Sequence, residues 1–160
     1  MITLLFCAEG ALSQPLLYLS LYFKEHRDVY YDLLQSMRMN GDWETWIDFF
    51  LTGVKNTADQ AVNTARDLLG LFASNDRRLQ DLGRSAGSAI RAHHALQSSP
   101  MLSARVLAQK TGLSEMTGGT TLRQLEDLGI VREITGAKYG RIYAYQQYLD
   151  ILSEGTAPIN

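Results

Sequence analysis

The sequence predicts a mostly α-helical chain, in which a helical bundle and a long helical connector are followed by a small α+β domain. Two observations lead to this prediction. Apolar residues and alanines recur every three or four positions from residue 43 to residue 89, which keeps one face of a helix apolar over many turns. After Pro100, two short helical patterns are followed by two strand-like runs with a glycine-containing loop between them.

The composition is that of a folded protein and excludes several classes of function. Hydrophobic residues make up 46% of the 160 residues and charged residues 20%, with three prolines, which is typical of a globular chain. Cys7 is the single cysteine, so no disulfide or cysteine metal cluster can form within the chain. The longest apolar run is too short to span a bilayer, and residues 1–8 lack the basic leader of a signal peptide. We therefore expect a cytoplasmic protein without membrane contact.

The first 42 residues read as helices separated by short breaks. Residues 1–12 have a helical pattern without an N-terminal cap, and the segment Ser13-Gln14-Pro15 breaks it. Helices are then expected over 16–25 and 28–40, with Asp28 as the cap of the second. Asn40-Gly41-Asp42 ends that helix, and Asp42 caps the next one.

From residue 43 onward the apolar positions alternate steps of three and four, which predicts a long helix with a coiled-coil-like seam. The seam consists of Ile47, Leu51, Val54, Ala58, Ala61, Ala65, Leu68, Phe72, Asn75, Leu79, Leu82, Ala86 and Ala89. A pair of helices that keep phase across Ser74-Asn75-Asp76 would give the same pattern. The seam packs either within the chain, as an antiparallel hairpin, or against a second copy, and we favour the hairpin. Ser98-Ser99-Pro100 is the expected domain boundary, which divides the chain into 1–55, 56–99 and 100–156.

The last third of the chain has the pattern of a winged helix-turn-helix domain. Ser103 can cap a helix that ends at Thr111, and Gly112 tolerates the left-handed backbone of a tight turn. A second helix is expected over 114–128, ended by Gly129. The runs 130–134 and 141–145 then read as two strands, with 135–140 as the wing between them. This architecture is typical of nucleic-acid binding.

The side chains of this domain predict weak DNA contact at most. The outward face of the second helix is expected to carry Ser114, Glu115, Met116, Gly119, Thr120 and Arg123. The candidate DNA-binding residues are Thr120, Arg123, Lys138, Tyr139 and Arg141. Residues 100–152 hold six Lys/Arg and five Asp/Glu, whereas most DNA readers show a basic excess. Two interior glycines also cost the second helix about 1 kcal/mol each, and sequence-specific readout would need a dimer.

Several segments of the sequence resemble the C-terminal half of Fic-domain proteins, in the same order along the chain. They are QPLLYLS at 14–20, HRDVYYDLLQ at 26–35, and GDWETW at 41–46 with FFLTG at 49–53. LGIVREITG at 128–136 and YLDILSEGT at 148–156 are similar to the winged-helix tail of many bacterial Fic proteins. Nearly the whole chain is covered by this resemblance.

The sequence departs from the Fic family in one decisive respect. Fic enzymes carry a His-Pro-Phe-x-x-Gly-Asn-Gly-Arg loop, whose histidine is the general base and whose glycines and arginine hold the phosphates of ATP. The histidines here are His26, His93 and His94, and none precedes Pro-Phe. That loop normally lies just upstream of the helix that 1–12 resembles. We therefore expect a fragment or naturally truncated product that transfers no AMP, whereas the full-length family uses ATP and magnesium.

The resemblance also implies a nucleotide-contacting position for Tyr30, Tyr31 and Arg38. In the family this helix helps to line the adenine pocket, with Tyr31 against the base and Tyr30 beside it. Tyr31 and Arg38 are seven residues apart, so they share a helix face. The alternative, that both tyrosines are half-buried packing residues, is favoured because the phosphate-binding half is not in the sequence. We expect no cofactor in this chain, and no metal site, because the adjacent His93 and His94 diverge by about 100° on a helix.

Two functions remain open on these grounds. The favoured one is a non-catalytic C-terminal portion of a Fic-type protein, with the winged helix as a docking, dimerisation or weak DNA-binding module. Its partner would be another protein, or a second copy that associates through the long helix. The alternative is a free-standing dimeric transcriptional regulator, in which 1–97 dimerise and 100–152 bind an operator.

Overall fold

The computed structural model describes residues 8–10 and 19–154, and within them the protein is mostly helical with one small antiparallel sheet. The chain divides into two compact units, one ending at Ala65 and the other beginning at Arg66. The expected fold class is confirmed. The helix expected over 1–12 lies outside the described residues apart from 8–10, as do the break at 13–15 and Cys7.

The first unit contains two helices and the beginning of a third. These are α1 (Leu19–Glu25), α2 (Arg27–Asn40) and α3 (Trp43–Gln80). Asp42 caps α3 as expected, since its Oδ1 accepts hydrogen bonds from the Thr45 backbone N–H (3.2 Å) and hydroxyl (2.8 Å). The prediction for Asp28 is wrong, because α2 begins one residue earlier and Asp28 lies inside its first turn.

Aromatic rings hold the first unit together. Phe23 on α1 lies 5.1 Å from Tyr30 on α2, measured between ring centroids, and 6.0 Å from Phe49 on α3. Trp46 lies within 5.5 Å of Tyr30 and 6.0 Å of Phe49. These four rings are each half-buried, and such ring pairs add stabilisation beyond the area that they bury, so the unit has an aromatic core of its own.

The second unit contains the end of α3 and a compact set of short elements. These are a 3₁₀ turn (Gly83–Ser85), α4 (Ala86–Ser98), β1 (Met101–Ser103), α5 (Ala104–Thr111), α6 (Glu115–Asp127), β2 (Arg132–Glu133), β3 (Ile142–Ala144) and α7 (Gln146–Ser153). The strands form an antiparallel sheet in the order β1-β3-β2, with Leu102 opposite Tyr143 and Arg132 opposite Ala144.

The seam of the long helical pattern is partly internal to this unit. Leu79 and Ala89 are fully buried in its core, and Phe72 and Leu82 pack against that core. The pattern is divided between two helices, and the break between them lies at 81–85 rather than at Ser74-Asn75-Asp76, because α3 runs unbroken to Gln80. The remaining core residues are Ala92, Ala95, Leu96, Leu102, Leu107, Leu122, Leu125, Ile130, Val131, Tyr143 and Tyr145.

The strands of the wing are shorter than the sequence predicts. The expected strand 130–134 is reduced to β2, because Ile130 and Val131 turn into the core before the pairing begins. The expected strand 141–145 is reduced to β3, and β1 is an additional strand that the sequence analysis missed. Ser103 ends β1 and also caps α5, so one residue serves both elements.

A buried polar network connects α3 and α4 to the end of β3. His93 is fully buried, with Nδ1 2.7 Å from Asp76 Oδ1 and Nε2 3.1 Å from the Tyr145 hydroxyl. Asn75 Nδ2 donates to the same hydroxyl at 2.6 Å. Burial lowers the pKa of His93, against the opposing effect of the hydrogen bond to Asp76. His93 is therefore neutral here, with one ring nitrogen facing a carboxylate and the other a phenol.

Within the described residues, no helix combines the length and the hydropathy needed to cross a membrane.

Candidate nucleic-acid interface

The helix pair α5–α6 is fixed by its caps and by a close approach of the two backbones. Ser103 Oγ accepts from the Val106 N–H (3.4 Å), and Ser114 Oγ accepts from the Thr117 N–H (3.1 Å). A Cβ atom added at Gly118 would lie 3.1 Å from the Ala104 carbonyl oxygen, which is tighter than most Cβ contacts, so a larger residue would push α5 and α6 slightly apart. The outward face of α6 is thereby held in a fixed orientation.

The wing is organised by one carboxylate. Glu133 accepts hydrogen bonds from the backbone N–H groups of Thr135 (2.7 Å) and Gly136 (3.0 Å), and also from the Thr135 hydroxyl. The Thr135 hydroxyl is the main reason that the pKa of Glu133 is lowered, and the charge of Arg141 contributes. Arg141 Nε also donates to the Ala137 carbonyl at 2.9 Å. Hydrogen bonds within the wing therefore stabilise the loop that contains Lys138 and Arg141.

A groove lies between the start of α5, the exposed face of α6 and the wing. Its cavity volume is about 600 Å³, within the size range of ligand sites. It is lined by Ser103, Ala104, Arg105, Glu115, Gly119, Arg123, Lys138, Tyr139, Gly140, Arg141 and Tyr143. We call this cavity the α6–wing groove.

Four cationic side chains meet in the α6–wing groove without a partner of opposite charge. Across residues 19–154, no carboxylate lies within 4.0 Å of the charged nitrogens of Arg105, Arg123, Lys138 or Arg141. Arg123 Nε donates to the Gly119 carbonyl (3.3 Å), which leaves the rest of its guanidinium available. Convergent cations of this kind make a positive potential that attracts phosphates. The groove is therefore chemically suited to an anionic ligand.

Four of the five candidate DNA-binding residues line this groove. Arg123, Lys138, Tyr139 and Arg141 are brought together there, whereas Thr120 is not part of the lining. The Thr120 hydroxyl instead donates to the Met116 carbonyl of its own helix at 3.1 Å. Sequence reasoning missed Arg105, because it considered only the second helix and the wing. The position of Arg105 two residues after the capping Ser103, at the start of α5, was the available signal.

Two of the three candidate nucleotide contacts are exposed on the surface of α2. Tyr30 is half-buried against Phe23 and Trp46, as the packing alternative expects. Tyr31 departs from that alternative, since it is 55% exposed, with the Arg27 guanidinium 5.7 Å from its ring centroid. Arg38 is exposed in the last turn of α2. A cavity of about 140 Å³ in this unit is lined by Leu21, Tyr22, Glu25, His26, Asn56, Thr57 and Gln60.

The two adjacent histidines differ in burial, yet both approach the carboxylate of Asp76, since His93 Nδ1 lies 2.7 Å from its Oδ1. His93 is buried, whereas the side chain of His94 is 58% exposed, with Nε2 3.6 Å from Asp76 Oδ2. No group of three or more His, Cys, Asp or Glu side chains suited to a metal ion occurs in the described part of the chain. The buried network around His93 was not expected from the sequence, since its partners Asp76 and Tyr145 are 17 and 52 residues away.

No known protein-family model matches this sequence.

Proposed function

We propose that this chain is the non-catalytic C-terminal part of a Fic-type protein, and that its winged helix binds nucleic-acid phosphates weakly through the α6–wing groove. The observation that supports binding is the set of four cations in the groove without a carboxylate partner. The order of Fic-like phrases in the sequence supports the family proposal. The lone cysteine and the lack of an apolar run of spanning length favour the cytoplasm.

The number of cations sets the expected strength and salt dependence of binding. Each neutralised phosphate adds about −0.9 to the slope of log affinity against log salt, so four contacts give a slope of about −3 to −4 on duplex DNA. Such binding is weak, with a Kd in the micromolar range or above at physiological salt. It suits a module that docks an attached protein onto nucleic acid more than one that selects an operator.

The binding proposal is tested by fluorescence anisotropy with labelled duplex DNA at about 50 and 200 mM salt. The triple variant Arg123→Ala, Lys138→Ala, Arg141→Ala should weaken binding at the lower salt at least tenfold. The matched control removes three cations outside the groove, Arg77→Ala, Arg91→Ala and Lys110→Ala, and should bind within about threefold of the wild type, since only long-range charge is lost. Equal losses in both triple variants would contradict the proposal.

The proposal that the chain is non-catalytic is tested separately by incubating it with labelled ATP, magnesium and candidate proteins. No label should be transferred, because the sequence contains neither the general base nor the phosphate-binding loop of Fic enzymes. Label on any candidate protein would overturn the proposal that the chain is non-catalytic.

The second candidate, a dimeric regulator, is favoured by apolar residues exposed on α3 within the first unit. Ile47 is 48% exposed and Leu51 is 55% exposed, and both belong to the predicted seam. Sedimentation equilibrium distinguishes the two functions. A stable dimer that also forms a saturable complex with one genomic fragment at about 200 mM salt would favour the regulator.

A further inference from the structure

The α6–wing groove is lined by an exposed aromatic ring, that of Tyr139, as well as by cations. Tyr139 is 80% exposed, and its neighbour in the described structure is the Lys138 ammonium, 5.6 Å from the ring centroid. An aromatic ring set between Lys138 and Arg141 matches the stacking platforms that hold bases of single-stranded nucleic acid. A duplex offers no free base face to such a ring, because its bases are stacked on one another.

The groove also contains one carboxylate with free acceptor atoms. Glu115 lines the groove beside the four cations, yet it makes no hydrogen bond or ion pair with any described residue. Its charge near the start of α6 favours the helix, but it also opposes a phosphate at that point. A ligand that brings an exocyclic amino group there would instead satisfy the carboxylate, as cytosine N4 does in base readout.

The exposed face of α6 is poorly equipped to read the major groove of a duplex. Met116 and Gly119 offer no hydrogen-bond donor from their side chains, and the Thr120 hydroxyl is donated to its own helix. Arg123 is therefore the one long donor on this face. Bases of a single strand can be splayed out towards Tyr139 and Glu115, whereas paired bases cannot.

We propose that the α6–wing groove binds a single strand of nucleic acid, with its phosphates on the four cations, one base stacked on Tyr139, and the amino group of a base donated to Glu115. This inference rests on the proposed function and names the form of nucleic acid that the groove prefers. It also gives the groove a preference for bases that carry an exocyclic amine.

The probes are labelled oligodeoxycytidine and oligodeoxythymidine strands of about 12 nucleotides, which fits one binding site, and a blunt duplex of the same length. Affinity is measured by fluorescence anisotropy on the whole chain at about 50 mM salt. We expect the cytidine strand to bind several-fold more tightly than the thymidine strand, because thymine has no amino group. Both strands should bind more tightly than the duplex.

Two variants separate the contributions of the ring and the carboxylate. Tyr139→Ala should weaken strand binding by about 5- to 150-fold, the range expected for the loss of one stacked base, whereas Tyr139→Phe should bind within about twofold of the wild type. Glu115→Gln should strengthen binding overall and abolish the preference for cytidine, because the amide repels no phosphate and can donate as well as accept. Far-UV circular dichroism checks that each variant is folded.

The outcomes distinguish this inference from the proposed function beneath it. Equal or tighter binding of the duplex, or unchanged strand binding by Tyr139→Ala, would overturn the single-strand preference while phosphate binding stands. An unchanged ratio of cytidine to thymidine affinity in Glu115→Gln would overturn base reading by the carboxylate. Failure of every probe to bind would overturn both proposals.

Discussion

Gly118 and Gly119 are neighbours in α6 but have opposite structural roles. A Cβ atom at Gly118 would crowd the Ala104 carbonyl oxygen at 3.1 Å, whereas one at Gly119 would meet Ala104 Cβ at an ordinary 3.7 Å. Gly118 is therefore needed for helix packing, and Gly119 only leaves the groove open at that point. Both glycines were expected to cost the helix stability, because glycine has a low helix propensity. The packing role of Gly118 was not predicted, because the close approach of another backbone has no local signature in the sequence.

This difference predicts opposite responses to the same small substitution. Gly119→Ala should raise the free energy of unfolding by up to about 1 kcal/mol, since alanine favours helix and the added methyl group finds space. Gly118→Ala should gain less or be destabilised, because the helix propensity is offset by crowding against Ala104. Urea unfolding followed by far-UV circular dichroism measures both variants. A Gly118→Ala protein as stable as Gly119→Ala would contradict the assigned packing role.

The residues of the candidate site were predictable where a side chain that can bind a ligand is also exposed. Arg123, Lys138 and Arg141 were predicted because they are basic residues on the expected outer face of α6 or in the wing. Arg105 was missed because it belongs to another helix, and Thr120 was included although its hydroxyl bonds its own backbone. The sequence does not reveal how such local bonds compete with a ligand.

At the level of elements, the polar network around His93 joins α3, α4 and the segment that connects β3 to α7. The neutral imidazole carries its proton on Nδ1 towards Asp76, so that Nε2 can accept from the Tyr145 hydroxyl. Asn75 in turn donates to that hydroxyl. A second ring proton would remove the acceptor of the Tyr145 hydroxyl proton, so the neutral imidazole satisfies the network better than the charged one.

The network makes the stability of the second unit depend on pH. Because the pKa of His93 is lowered in the folded state, the unfolded chain binds the extra proton first, and stability is lost as pH falls below about 6.5 towards the folded pKa. The free energy of unfolding should therefore be lower at about pH 5.5 than at about pH 7.5. Urea unfolding at the two pH values measures the difference.

The matched controls for this pH dependence are the two histidines of α4. His93→Gln should be less stable at both pH values but should show a smaller change between them, since the titrating group is gone. His94→Asn should keep most of the dependence of the wild type, because burial is the largest cause of the lowered pKa of His93 and the charge of His94 is the smallest. A His93→Gln protein with an undiminished pH dependence would show that another group is responsible.

Elements were predictable from the sequence where a local signal marks their ends. The start of α3 at Trp43 and the turn at Gly112 follow from Asp42 and from glycine. The end of α3 at Gln80 was not predicted, because the alternatives were a longer continuous helix and a break at Ser74-Asn75-Asp76, where Asn75 and Asp76 in fact bond to Tyr145 and His93. The strand β1 was missed because its pairing with β3 spans about forty residues and leaves no periodic pattern in three positions.

At the scale of the whole molecule, the cores that the described residues form in the two units share no residue. The aromatic core of the first unit is built around Phe23, whereas every member of the second core lies between Leu71 and Tyr148. Each core buries its own apolar surface, which is the main source of folding free energy. We therefore expect two unfolding transitions rather than one cooperative transition for the whole chain.

The first unit also contains the fluorescent side chains by which its unfolding can be followed. Both tryptophans of the sequence, Trp43 and Trp46, lie in the first turn of α3, within the first unit. Tryptophan emission therefore reports the melting of that unit alone, whereas circular dichroism reports both. Acidification to about pH 5.5 should move the dichroism transition of the second unit to lower urea. The midpoint of the tryptophan emission should not change. If emission and dichroism coincide at both pH values, the chain unfolds as one unit instead.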